Sequence, residues 1–263
     1  MRAAPRAGGS RVYKIGGPAV EDPGLLGPLA SEVRRGEGPA VLVHGGGRHV
    51  DRLLRALDIE ARFVDGRRET SPAAMEVVEM VLSGVVNKSL AAGLTAAGVP
   101  ALGLSGRDGG LARARLAPGL GRVGLPEKVD PTPIHALWAA GFLPVVSPVA
   151  SGPSGESVNV NADEAALALA RALGASTLVY VSDVDGVRLG GEIAAFLTPE
   201  EAQRGIDTGA IAGGMALKVR VALEAAAAGI PEVVIAGKAR LLGEFAGTRI
   251  AAGATATTNE VKR

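Results

Sequence analysis

Residues Ala40-Val-Leu-Val-His-Gly-Gly-Gly47 join an apolar run to a glycine triplet, and from Gly46 to Leu57 the pattern turns helical. The run is apolar at every position, as a strand covered on both faces is. A glycine-rich turn then delivers the chain into a helix. This strand–loop–helix unit recurs. Candidate strands are Val12–Ile15, Ala40–Val43, Ala101–Leu104, Leu143–Val149, Thr177–Ser182 and Glu232–Ala236. Candidate helices are Leu25–Arg35, Gly46–Leu57, Pro72–Ala97, Pro131–Ala140, Ala162–Leu173, Pro199–Gly205 and Met215–Ala228. The alternation predicts an α/β fold with an open, mostly parallel sheet and helices on both faces. In such folds ligands sit beyond the carboxyl ends of the strands, so the loops after the strands carry the chemistry.

Composition narrows the classes. The 263 residues carry a net charge of +1, no cysteine and three histidines. Disulfides, Cys-ligated zinc and thiol catalysis are excluded, which fits a reducing, cytoplasmic setting. No basic face or run of stacking rings points to nucleic acid. No signal-peptide pattern opens the chain, and no uninterrupted apolar run of about 18 residues suggests a membrane span. Residues 251–263 lack an apolar pattern and are expected to fray. A compositional shift near Gly174 divides a first lobe, about 1–174, from a second, about 175–263, within one domain.

Four stretches carry chemistry. Lys14-Ile-Gly16-Gly17 and Gly45-Gly46-Gly47 each follow a strand and precede a helix. Such loops are either tight turns or cradles for phosphoryl oxygens, since glycine lets backbone N–H groups approach an anion. His44 reads as packing or a loop hydrogen bond. Asn159-Val-Asn161-Ala-Asp163-Glu164 precedes an apolar helix; Asn161 and Glu164 fit a capping box. Asp163 is left over, serving either the helix dipole or nearby lysines. Gly213-Gly214-Met215-Ala-Leu-Lys218 opens the next helix. A cation near a helix start is unfavourable unless it snorkels to water or meets a bound anion. Gly119-Leu-Gly-Arg-Val-Gly124 matches the dinucleotide fingerprint, but no strand precedes it and prolines follow it, so it reads as a hairpin turn. No Ser-His-Asp or metal-ligand spacing occurs. A carboxylate acceptor needs no base, because a glutamate-type carboxyl, with an ordinary pKa of about 4.3, is already ionised near neutrality. Lysines, anion loops and one aspartate suffice to transfer a phosphoryl group to it.

Taken together, Lys14-Ile-Gly-Gly17, His44-Gly-Gly-Gly47, Asn159-Val-Asn-Ala-Asp163 and Gly213-Gly-Met-Ala-Leu-Lys218 resemble the amino-acid kinase family. Supporting segments are Arg68-Glu-Thr70, Met75–Met80, Asn87-Lys88, Gly103–Asp108 and Ser182–Gly186. Within the family the combination is similar to members that phosphorylate the γ-carboxylate of N-acetyl-L-glutamate in arginine biosynthesis. The resemblance implies a three-layer αβα sandwich, its first lobe binding substrate and dimerising and its second binding MgATP. It implies Lys14 and Lys218 as catalytic cations and Asp163 as the group that holds them. Gly46, Gly47, Arg68 and Asn159 would bind the acceptor. Gly16, Gly17, Asp183, Gly186, Gly213, Gly214 and Met215 would serve ATP, with Mg2+ arriving on the nucleotide and no protein metal cage. The alternatives are a kinase for glutamate or aminoadipate on a small carrier protein, and a silent amino-acid sensor.

Asp65-Gly-Arg67-Arg68-Glu69-Thr70 departs from the family's usual Asn-Gly-x-Arg-Val-Thr, and Pro18 and the short loop Leu189-Gly-Gly191 depart too. Val77 to Val86 is apolar on more than one helical face, which predicts a homodimer. Thirteen residues precede Lys14, broken by Pro5, Gly8 and Gly9, and Glu244-Phe-Ala-Gly247-Thr248 is compressed. From these the expectation is a dimer, not a hexamer, insensitive to arginine.

Overall fold

All six apolar runs form strands. The computed structural model describes residues 9–16, 20–64, 66–243 and 247–251. The expectations placed on Pro5, Gly8, Gly17, Pro18, Asp65, 244–246 and 252–263 lie outside the described residues. In chain order the first elements are β1 (Arg11–Ile15), α1 (Leu26–Arg35), β2 (Ala40–His44), α2 (Gly47–Ala56), β3 (Phe63–Val64) and β4 (Arg67–Arg68). A long helix follows as α3 (Pro72–Glu79), a π-helical segment (Met80–Val86) and α4 (Asn87–Ala96). Next come β5 (Ala101–Ser105), β6 (Ala112–Leu116), β7 (Val123–Val129), α5 (Thr132–Ala139), β8 (Leu143–Ser147), β9 (Val149–Ser151) and β10 (Ser157–Val160). The remainder is α6 (Ala162–Ala172), β11 (Thr177–Val181), β12 (Arg188–Leu189), β13 (Glu192–Ile193), β14 (Phe196–Leu197) and α7 (Pro199–Asp207), then α8 (Gly213–Ala227), β15 (Glu232–Ala236), α9 (Lys238–Leu242) and β16 (Thr248–Ile250).

The main sheet has eight strands in the order β14-β16-β15-β11-β1-β2-β8-β5. All pairs are parallel except β15 with β16. Period-two alternation splits each central strand between two cores. Val12, Leu178 and Tyr180 face the layer of α5, α6 and α8, while Tyr13, Ile15, Val179 and Val181 face that of α1 to α4. Both faces are therefore buried, which is why these strands read as unbroken apolar runs. One sheet passes through both halves of the chain, with β1 at its middle.

Several expectations need correcting. Leu143–Val149 is two strands: Pro148 ends β8, and β9 joins β10, β7 and β6 in a small closed barrel absent from the sequence reading. Gly119 to Arg122 lie in the turn between the antiparallel strands β6 and β7, and Val123 and Gly124 already belong to β7, as expected of a hairpin. The helix expected over Pro72–Ala97 is interrupted by the π segment. By length and composition Pro72–Ala96 could cross a membrane, but half of its most apolar window is buried in the fold. Val77, Val78, Val81, Leu82 and Val86 are buried there, so intramolecular packing accounts for most of its apolar excess. Only Met80 and Val85 of that set are well exposed, at 55% and 58%.

Candidate active site

The loops after β1 and β2 meet at the carboxyl end of the sheet, where the Gly45 N–H donates to the Ile15 carbonyl at 2.7 Å. Gly46 has φ +153°, and a Cβ there would lie 2.8 Å from Leu82 Cδ2 and 3.2 Å from Val86 Cγ2. The π segment thus presses its side chains onto the glycine loop, and only glycine fits. Beneath it, buried His44 has both ring nitrogens engaged: Nδ1 with the Gly45 carbonyl at 2.7 Å and Nε2 with Asn87 Nδ2 at 3.1 Å. Burial pulls its pKa down to about 4, with a smaller push from Lys88 in the same direction. This imidazole is a neutral strut for the loop and no general base. Asn87 directly follows the π segment, and its Nδ2 also donates to the Val145 carbonyl at 2.8 Å.

Lys14 on β1, Asp163 in the first turn of α6 and Lys218 in the second turn of α8 converge beside the central strands of the sheet. Asp163 Oδ1 is 2.8 Å from Lys14 Nζ and 3.4 Å from Lys218 Nζ. The three residues are only 6%, 8% and 9% exposed. Gly16 leaves room for the first ammonium, since a Cβ at that position would lie 2.2 Å from Lys14 Nζ. Burial pushes the Asp163 carboxyl up, but the two ammonium groups outweigh it and hold its pKa below the ordinary value. Burial, reinforced by Lys14, pulls Lys218 from 10.5 down to about 8, against the attraction of Asp163. Tyr180, paired with Lys14 across β1 and β11, floors the cluster: Lys218 Nζ lies 5.8 Å from its ring centre. Two cations share one carboxylate oxygen, so a buried positive charge is left over. Such a site favours an anion, and most of all one whose charge shifts during reaction.

Next to this cluster a cavity of about 170 Å³ is lined by Gly45, Gly46, Gly47, Arg68, Asn159 and Asn161, among others. It contains all four residues expected to bind an acceptor. Arg68 is buried, paired with Asp51, 3.4 Å from the Gly47 carbonyl and 4.5 Å from the Phe63 ring centre. Its guanidinium is thus oriented before any ligand arrives. Asn159 Nδ2 donates to Thr70 Oγ1 at 3.1 Å, and Thr70 in turn donates to the Arg68 carbonyl at 2.7 Å. Residues 161 and 162 line the cavity, and 163 belongs to the lysine cluster, so the start of α6 connects the two.

The expected nucleotide residues are more scattered. Gly213 and Gly214 are exposed with open space beside them, and the N-cap of α8, Ala212, offers no side-chain hydrogen bond. Its first N–H groups are therefore open to an anion. Met215 is half-buried, and Asp183 is exposed and accepts from Ser182 Oγ at 3.1 Å. Gly186 is buried, and a Cβ there would lie 2.7 Å from Thr248 Oγ1, which gives it a packing task. Gly17 is not among the described residues. Among the described residues no group of three or more His, Cys, Asp or Glu could hold a metal ion.

The capping box is only half formed. Asn161 Oδ1 accepts from the N–H groups of Asp163 and Glu164 at 2.8 and 3.3 Å. The Glu164 carboxylate does not return to Asn161 but pairs with Arg67. From the sequence, Asn161, Thr70 and Glu164 carried no site role, and Arg67 carried one only in the carrier-protein alternative, together with Arg68. For Thr70 and Asn161 a signal was present, since both lie inside motifs already singled out.

The family model for the amino acid kinases matches residues 10–237. An acetylglutamate kinase from Rubrobacter xylanophilus is 47% identical over 241 residues, covering 91% of this chain and 94% of that protein. One from Chloroflexus aurantiacus is 42% identical over 247 residues, covering 92% and 96%. A crystal structure from Streptococcus mutans superposes with a TM-score of 0.84 at 29% identity, covering 92% of this chain and 98% of that one.

Proposed function

The chain belongs to the amino acid kinase family, and from that premise we propose that it phosphorylates the γ-carboxylate of N-acetyl-L-glutamate with ATP. The observation that carries this is the buried pair of ammonium groups sharing Asp163 Oδ1, set beside a cavity that holds an oriented arginine. A γ-carboxylate oxygen attacks the γ-phosphorus, the bond to the β,γ-bridging oxygen breaks, and ADP leaves with that electron pair. No proton has to move, which suits a site whose histidine is locked and neutral. Lys14 and Lys218 neutralise the equatorial and leaving oxygens, and Asp163 keeps both cations in register. Arg68 pairs with the acceptor's α-carboxylate, Asn159 holds its amide end, and the N–H groups of Gly46 and Gly47 face its reacting carboxylate.

The uncapped start of α8 suits the nucleotide phosphates. Mg2+ would supply charge neutralisation for the transferring phosphate and would arrive on the nucleotide, since Asp163 is already held by two lysines. The acceptor site belongs to the first lobe, up to about residue 174, and the nucleotide site to the second. Met80 and Val85 on the outer side of the long helix are the face through which we expect two copies to pair. The relatives' names favour a free acceptor over a carrier-bound one. Hydroxylamine trapping of acyl phosphate over a panel of carboxylates tests the assignment. Hydroxamate from N-acetyl-L-glutamate well above that from glutamate and aspartate is expected; a preference for either of those overturns it.

A further inference from the structure

The β3–β4 hairpin is anchored at two points outside its own strands, and each anchor neighbours a residue of the buried charge cluster. Gly66, at φ +78°, brings the hairpin tip against α8: a Cβ there would lie 2.5 Å from Leu217 Cδ2. Leu217 immediately precedes Lys218. Arg67 makes a two-pronged pair with Glu164, one prong being Nε to Oε2 at 3.3 Å. Glu164 immediately follows Asp163, on the first turn of α6. The pair is three-quarters or more buried at both side chains. The next hairpin residue, Arg68, is turned instead to Asp51 and the Phe63 ring at the cavity. One short hairpin therefore touches the acceptor cavity, the helix of Asp163 and the helix of Lys218.

We propose that Arg67 and Glu164 are positioning residues, forming a latch that holds the hairpin and its Arg68 against the helices carrying Asp163 and Lys218. The latch fixes the distance between the acceptor's bound α-carboxylate and the cations that act on its γ-carboxylate. A two-residue strand pair has little hydrogen bonding of its own to hold such a position. A planar guanidinium on a carboxylate supplies both attraction and a fixed orientation. The pair acts through Arg68 and the charge cluster and need not touch substrate. This rests on the acceptor assignment above, so the test includes a readout that does not need it.

The experiment uses the full chain with Arg67→Met, Glu164→Gln, the double variant and Arg67→Lys. Initial rates are measured with each substrate varied, beside urea midpoints and amide hydrogen exchange of residues 62–69 in the free protein. Each single variant is expected to lower kcat/KM for N-acetyl-L-glutamate about tenfold, within the coupling of a close pair. KM for ATP should move less than about twofold, and each single variant, which leaves one largely buried partner unpaired, should lower the urea midpoint at least as much as the double. The double variant should lose no more than either single, and Arg67→Lys should recover part of the loss. Hairpin exchange should accelerate equally in both singles and the double. Additive losses, wild-type kinetics in a single variant, or unchanged hairpin exchange overturns the latch. Accelerated exchange in a protein whose wild type does not phosphorylate N-acetyl-L-glutamate leaves the latch standing and overturns the acceptor assignment instead.

Discussion

Replacing Lys218 with methionine separates what the buried charge costs from what it does. Methionine is close to lysine in length and carries no charge. The fall of the Lys218 pKa from 10.5 to about 8 has burial as its first cause. By linkage that fall corresponds to about 3 kcal/mol of destabilisation from keeping the cation in the fold. The unfolded chain holds this proton up to about pH 10.5 and the folded chain only to about 8. The penalty is thus present in full below about pH 8 and is relieved as the pH rises from there towards 10.5. Lys218→Met should therefore be as stable as the wild type at pH 7 or more so, by up to about 3 kcal/mol, with the difference closing near pH 10. Lys14 and Asp163 remain as a neutral pair. The same change should lower kcat by about 10²–10³, the usual loss for one preorganised charge at a reacting centre. The assays are urea unfolding at pH 7 and pH 10 and acyl phosphate formation at saturating substrates. A variant less stable than the wild type by more than about 1 kcal/mol, or one with kcat within about tenfold of it, would refute the reasoning.

Asp163→Asn leaves two buried ammonium groups facing each other, so it should destabilise by about 3–5 kcal/mol and depress kcat as well; an unchanged urea midpoint counts against the cluster. The rate should fall above about pH 8 in kcat/KM for ATP, because Lys218 is a cation below that value and neutral above it. In kcat the fall should come later, since bound phosphates favour the cation; a flat profile up to about pH 9.5 contradicts this. Arg68→Lys loses a two-pronged fit to carboxylate and should raise KM for N-acetyl-L-glutamate about tenfold or more, with KM for ATP little changed. Equal losses for both substrates would place Arg68 elsewhere.

At one end of the main sheet β14 and β16 went unread because they span only two and three residues; β1, β2, β8, β11 and β15 were readable because they are covered on both faces and so form unbroken apolar runs. The small barrel was not, because its strands are short and half-exposed. Ser157–Val160 spans four residues, and Val123–Val129 includes Pro126. The π segment was hidden because Met80–Val86 keeps a helical composition. Lys14 and Lys218 could be singled out because each sits where strand or helix physics alone would not place a charge, whereas Asp163 lies in a first helical turn that favours an acid, so the choice between the dipole and the lysines came only with the family resemblance. Glu164 misled for the opposite reason. It satisfies a local capping rule, yet its carboxylate is taken by Arg67, 97 residues away.

The central claim is that two buried lysines sharing Asp163 transfer phosphate to a carboxylate, and 31P NMR of the chain with MgATP and N-acetyl-L-glutamate tests it most directly. The account predicts an acyl phosphate resonance that grows in step with ADP and is lost in Lys218→Met. ADP accompanied only by inorganic phosphate, or an acyl phosphate signal undiminished in that variant, would contradict it.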